Sequence, residues 1–476
     1  MTVEAINIEK SIQTAKELIA KEKNISPALK VALDVLLLLV TILANRLGLN
    51  SKNSSKPPST DPNREKKLKE PSDRKPGGQH GHIGTTLKQV SDPDQVKEIK
   101  FDRSTLPPGS YEISGYETRQ VVDIEISKFV IEWRAEVILH QNGKRYVAEF
   151  PKDVTRPVQY GIGVKSNAVY MSQYQLIPYN RVEEQFQDQM GIPISVGTIN
   201  NFNKDAFARL ETFESWLKEQ LIGSTLLHCD ETGINIGGKR RWLHNVSNEW
   251  FTFYYPHAKR GSEANIEMGI LPVYEGIICH DHWKPYFKFG CLHSLCNAHH
   301  IRELERAAEQ DKQKWAEQMI LLLKEINKAT GDAGGCLEKE ASEHYRKRYR
   351  DLLIEAELEC PPPEKPAEKK KGKTARSTAR NLLERLKDFE EETLRFMDDK
   401  IVPFSNNQAE NDLRMTKVQQ KISGCFRAME GAKVFCRIRS YLSTCMKQGV
   451  TASEGLRLLF EGKFPEFMNV KEQGAE

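Results

Sequence analysis

The sequence predicts an α/β fold in which a short run of strands is embedded in helices. Three observations carry this. Between Thr225 and Cys296 the runs TLLHCDET, RRWLHNVS, WFTFYY, GIICH and LHSLC are apolar or alternating and are separated by turn residues, as buried strands are. Helical periodicity fills the segments before them and the charged stretch from Asp311 to Asp399. The first strand runs straight into a carboxylate, Asp230, which is costly to bury without a compensating partner.

Length and charge bound the reading. A chain of 476 residues exceeds one typical domain, and the prior is about three. The net charge of +4 excludes a polycation, but the basic residues cluster. Residues 411–449 hold eight Lys/Arg against two Asp/Glu, residues 364–385 eight against three, and residues 51–75 eight against four. Separate basic segments suit a polyanion. Nine cysteines, all from Cys229 onward, form no paired framework, which points to a reducing cytosol. The polar start MTVEAINIEK is unlike a signal peptide. The most apolar run, Val31–Ala44, contains Asp34 and is shorter than the about 20 residues a bilayer needs, so no membrane partner is expected.

Residues 1–49 carry a heptad rhythm. Leu29, Leu33, Leu36, Val40, Leu43 and Leu47 alternate steps of four and three, the seam of a coiled coil, and imply a homo-oligomer. Residues 50–95 are Ser-, Pro-, Gly- and Lys-rich and read as a basic flexible linker. Residues 96–155 alternate and are β-branched, which predicts a small β-rich module of three or four strands with a hairpin at Gln141-Asn142-Gly143. Residues 156–222 predict helices over Gly163–Gln175, Arg181–Met190 and Val196–Leu210. Gly191 closes the second and Ser195 caps the third, a helix-turn-helix-like DNA-binding arrangement.

The central module, residues 223–300, predicts strands Thr225–Thr232, Arg240–Ser247 and Trp250–Tyr255, a helix Gly261–Met268, then strands Gly276–His280 and Leu292–Cys296. Three meandering strands, a helix and a fourth strand are the opening order of an RNase H-like fold. There the first and fourth strands are neighbours, so Asp230 and Asp281 would meet at adjacent strand ends. Residues 301–400 read as a helical insertion, with a low-complexity loop at 360–377. Residues 401–476 hold SNNQAENDLRMTKV, with Ser405 or Asn406 as N-cap. In it Asn407, Glu410, Arg414 and Lys417 share one helical face.

Asp230, Asp281 and Glu410 are therefore the candidate catalytic and metal-binding residues. Hard divalent cations prefer anionic oxygen, and two Mg²⁺ ions, or Mn²⁺ in their place, can clamp both oxygens of an in-line displacement at phosphorus. Asn407, Arg414, Lys417, Lys421 and Arg427 are the candidate DNA contacts. His280 and His282 flank Asp281 and are candidates to hydrogen-bond a scissile phosphate. Cys296 and His299 make a Cys-x2-His pair beside His300, half of a zinc site, for which a structural role at the strand–helix junction is expected.

These segments resemble the insertion-sequence sixty-six family of DDE-type bacterial transposases. The resemblance rests on LGLNSKNSSKPPSTDP, RKPGGQHGHIGTTL, QLIPYNRVEEQF, GIPISVGTI, HCDETG, HDHWKPY, LCNAHHIRELE and VPFSNNQAENDLRMTKVQQKISGCFR, the last being the most specific. It implies that Asp230, Asp281 and Glu410 form the catalytic triad of an RNase H-like core. The implied activity is metal-dependent cleavage of double-stranded DNA at terminal inverted repeats and transfer of the freed 3′-OH into target DNA. The implied place is the bacterial cytoplasm, at the nucleoid. Family members commonly carry a cysteine-rich zinc segment after the linker, whereas residues 96–155 contain no cysteine, so zinc is not expected there. The rival readings are a catalytically inactive or domesticated DNA-binding derivative and a different RNase H-like nuclease.

Overall fold

A computed structural model describes residues 2–3, 6–22, 25–47, 49–50, 87–363, 376–424 and 426–468. Most of the linker and most of the low-complexity loop lie outside them. Contacts divide the chain into one unit of residues 65–132 and one of residues 1–64 with 133–476.

In the larger unit, a five-stranded sheet organises the core. Its strands are β1 (Leu226–Ile236), β2 (Lys239–Ser247), β3 (Thr252–His257), β4 (Ile277–His280) and β5 (Leu292–Leu295). The order across the sheet is β3-β2-β1-β4-β5. The first three pair antiparallel, and β4 and β5 add in parallel. Gly237 and Gly238 form the β1–β2 turn, both with positive φ (58° and 73°), a backbone that glycine adopts at no steric cost. At the entry to β4, a Cβ on Gly276 would meet the Tyr274 hydroxyl and the Thr225 carbonyl, so only glycine fits.

One boundary differs from expectation. The first strand does not stop at Thr232, because Gly233–Ile236 continue the antiparallel ladder against Lys239–Trp242. Asp230 is thus in mid-strand with respect to β2. It lies just beyond the end of the β4 ladder, whose last pair is His228 with Cys279.

Helices cover the sheet. The segment before it comprises α3 (Ile162–Val169), α4 (Tyr179–Met190), α5 (Val196–Arg209) and α6 (Glu211–Ile222). The expected single helix over Gly163–Gln175 instead ends in a wider π-type turn at Tyr170–Tyr174. Gly191 closes α4 with φ 58°, and the Ser195 hydroxyl accepts the Thr198 N–H (3.2 Å) to cap α5. A short α7 (Ser262–Met268) follows β3. The segment after β5 comprises α8 (Asn297–Asp311), α9 (Lys314–Asp332), α10 (Lys339–Glu359), α11 (Thr378–Asp388) and α12 (Glu390–Asp398). They share a core of Trp315, Leu323, Tyr349, Leu383 and Met397 with Ile277 of the sheet. Arg395 donates to the His293 carbonyl (2.8 Å), which ties α12 to β5.

The chain then returns as α13 (Asn407–Ser423), α14 (Met429–Lys447) and α15 (Ala452–Phe460). Edge strand β3 is covered by α14, whose Ser440 and Thr444 hydroxyls accept the N–H groups of Tyr254 (2.9 Å) and Thr252 (3.2 Å). That satisfies an edge which would otherwise be open to another strand.

Two expectations fail outside this core. Among the described residues of 96–155 only one hairpin forms, Val137–Leu139 with Arg145–Val147, turning through Asn142-Gly143 as predicted. The remaining alternating residues make no ladder, and Ile99, Val121, Phe129 and Val130 are exposed. Strand propensity depends on a face to pack against, and among the described residues no second layer covers this one. At the N-terminus, α1 (Ile8–Lys21) pairs with α2 (Pro27–Leu47). On α2 the heptad positions Leu29, Leu36, Val40 and Leu43 are exposed. The helix starts earlier than the apolar run, and its 18 residues Pro27–Ala44 are long and apolar enough to cross a membrane by length and composition. Length therefore does not exclude a span.

Candidate active site

Three elements carry the three candidate acids. Asp230 lies on β1 just past the β4 ladder, and Asp281 is the first residue after β4. Glu410 is in the first turn of α13, which packs across β1 and β2. Gln420 of the same helix donates to the Gly233 carbonyl (3.1 Å) and fixes α13 on β1. The Asp230 carboxyl is held well above its ordinary range by burial first, then by the charges of Glu231 and Asp281, and further by Glu410. Asp230 Oδ1 accepts the N–H of Glu231 (2.8 Å), and Asp281 Oδ1 accepts that of Trp283 (3.0 Å).

A fourth acid and an arginine complete the floor. Glu231 is buried, with Arg260 Nε 2.6 Å from one oxygen and the Tyr286 hydroxyl donating to the other (2.5 Å). Burial and Asp281 push its carboxyl up, while Tyr286 and Arg260 draw it back. Arg260 also reaches Asp281 (3.8 Å) and stacks on Trp283 (4.0 Å to the ring centre) and Trp242 (4.9 Å). Sequence reasoning missed Glu231 and Arg260. Glu231 stands next to Asp230, but nothing local shows that Arg260 and Tyr286 fold back onto it.

The histidines depart from expectation. His280 is fully buried, bonds the Asp281 carbonyl and sits 3.0 Å from His293 Nδ1. Burial and the neighbouring His293 push it down to about 3, so it is a neutral packing residue and not a phosphate contact. His282 lies against the Phe389 ring (4.6 Å), and burial, Arg385 and Lys284 push it down to about 4. Asn406 takes the predicted N-cap position, yet its side chain does not cap the helix. It instead joins His228 Nδ1 (2.8 Å) and the Cys229 carbonyl (2.8 Å), pinning the start of α13 to β1.

Cys296 is buried at the start of α8, where its sulfur accepts the Asn406 N–H (3.1 Å). Burial raises its thiol pKa. His299 and Arg302, one and two turns on, lie 3.9 Å and 3.5 Å from Glu410 Oε1. Asn407, Arg414, Lys417, Lys421 and Arg427 are all exposed. Partial burial of the Lys417 amine pulls its pKa down, and the Asp230 carboxylate opposes that. Arg427 follows Phe426, which is stitched to the end of β1 by N–H donation to the Asn235 carbonyl (3.0 Å) and acceptance from Gly237 (2.8 Å).

Acids on β1, after β4 and on α13, with exposed bases on α13 and beyond it, are the chemistry expected of a protein that handles a polyanion. Residues 157–434, more than half of the chain, match the model of the Transposase IS66 family, and the chain belongs to that family. It is therefore a nucleic-acid-processing enzyme, with DNA as its partner. Residues 6–88 match a second family, whose function is unknown. No curated protein matches the chain.

Proposed function

We propose that the chain cuts DNA at the ends of an insertion sequence and joins the freed 3′-OH to target DNA, using Asp230, Asp281 and Glu410 in an RNase H-like core. The observation that supports this most is that Asp281 and Glu410, from two other elements, both oppose ionisation of Asp230. Such a cluster suits a divalent cation: the donors are all carboxylate oxygens, the set hard cations select. Divalent cations there would neutralise charge at the scissile phosphate and lower the pKa of the attacking group. Mg²⁺ is the proposed ion and Mn²⁺ its substitute.

The chain's own residues supply the rest. Arg260 orients Glu231 and holds the Asp281 side of the site through its stack on Trp283. Arg414, Lys417, Lys421 and Arg427 bind backbone phosphate, and Asn407 lies on the same exposed ridge. The α4–α5 pair contacts DNA as a helix-turn-helix, and the heptad face of α2 joins two copies so that two element ends are held together. The protein acts in the cytoplasm, at the nucleoid.

The test is Mg²⁺-dependent nicking of DNA carrying the inverted repeats that flank the gene. Wild type nicks it, and Asp230→Asn binds it without nicking. Cleavage that persists in Asp230→Asn rejects the assignment. DNA binding by wild type with no cleavage in Mg²⁺ or Mn²⁺ favours the inactive, DNA-binding derivative.

A further inference from the structure

We propose that Cys296, His299 and Glu410 form a binding site for a thiophilic divalent cation of the zinc type, sharing Glu410 with the acid cluster. The donor atoms of the three residues lie within 4.8 Å of one another. A tetrahedral zinc ion holds S, N and O ligands at about 2.0–2.3 Å, so the set is loose by roughly an ångström, within reach of side-chain rotation. Three further observations point to a ligand. His299 Nδ1 is buried without a hydrogen-bond partner and faces Glu410 Oε1 at 3.9 Å. The Cys296 sulfur accepts a backbone N–H from Asn406 (3.1 Å), the kind of contact that orients and stabilises a metal-bound thiolate. The Cys-x2-His spacing sits on the first turn of α8, where the His299 N–H bonds the Cys296 carbonyl (3.0 Å) and brings both donors to one side.

Sulfur and imidazole select zinc over magnesium, whereas the acid cluster selects the reverse. Three protein ligands leave a fourth position for solvent or substrate. A cation there must compete with Arg302, whose guanidinium is 3.5 Å from Glu410 Oε1. Because Glu410 serves both sites, a zinc ion would withdraw it from the hard-cation set. Zinc is thus an antagonist of the Mg²⁺ form. That consequence rests on the proposed function, but the binding site does not.

The probe is cobalt(II), added to the metal-free full-length chain and followed by absorbance. Wild type should take up one equivalent with a thiolate-to-cobalt charge-transfer band that zinc abolishes by displacement. Cys296→Ser should lose the band, and His299→Ala should weaken binding by at least about tenfold. His299→Ala keeps the question open to test if the serine variant does not fold. Asp230→Asn should retain the band, whatever the outcome of its cleavage assay. Absence of the band in wild type, an equal band in Cys296→Ser, unchanged affinity in His299→Ala, or its loss in Asp230→Asn would each overturn the site.

Discussion

Acids serve opposite ends in two parts of this molecule. On the helices after β5, several carboxylates are paired with arginines. Arg346 contacts Glu390 (3.3 Å), Glu391 (2.9 Å) and Asp398 (2.5 Å), and Arg380 contacts Glu357 (2.5 Å) and Glu384 (3.0 Å). Their effect on ionisation follows: hydrogen bonding to Arg380 holds the Glu357 carboxyl below its ordinary range. At the sheet the direction reverses, and Asp230 and Glu231 are raised by burial and by other acids. Within α13 the two roles meet: Asp412 is neutralised by Lys447 at 2.9 Å, while Glu410, one half-turn earlier, meets Arg302 at 3.5 Å and also adds to the negative charge around Asp230. Paired acids stabilise a fold; crowded ones store repulsion that a bound cation can relieve.

The largest expected effect breaks the functional side. Asp230→Asn, Asp281→Asn or Glu410→Gln should each lower Mg²⁺-dependent strand cleavage by about 10³-fold, the scale of losing a preorganised electrostatic group, with DNA retention unchanged in a gel-shift assay. The next breaks the structural side. Lys447→Met leaves Asp412 uncompensated and removes donations to the Asn248 and Phe251 carbonyls, so urea unfolding should show a loss of about 3 kcal/mol.

A smaller effect runs the opposite way. Because the folded pKa of Asp230 is raised, its contribution is fully present below the ordinary 3.8 and is lost as pH climbs through the folded value. Metal-free protein should therefore lose stability with rising pH above that range. Asp230→Asn should flatten the profile and gain stability near neutrality. The smallest effect is Arg348→Ala. It breaks an exposed pair with Glu325 (2.6 Å) and should cost less than about 1 kcal/mol, without a change in cleavage.

Much of the core was legible because its signals are local. The glycine turn at Gly237-Gly238, the span of β2 and the Asn297 helix start all fall within a residue or two of expectation. The neighbouring of β1 and β4 followed from strand order alone. What stayed hidden depends on distant partners. Alternation in residues 96–136 looked like strands, but strands need a layer to cover them, and composition does not say whether one exists. His280 looked available beside Asp281, and only packing against His293 and Tyr286 shows it buried. Cys296 and His299 looked like half a site because their third neighbour, Glu410, arrives from another element after the helices of α9–α12.

The most direct test of the shared-acid account is thermal unfolding with and without Mg²⁺, compared between wild type and Asp230→Asn. The account predicts that Mg²⁺ raises the wild-type midpoint and leaves the variant, already relieved of repulsion, nearly unmoved. Equal Mg²⁺-induced shifts in the two proteins would contradict it.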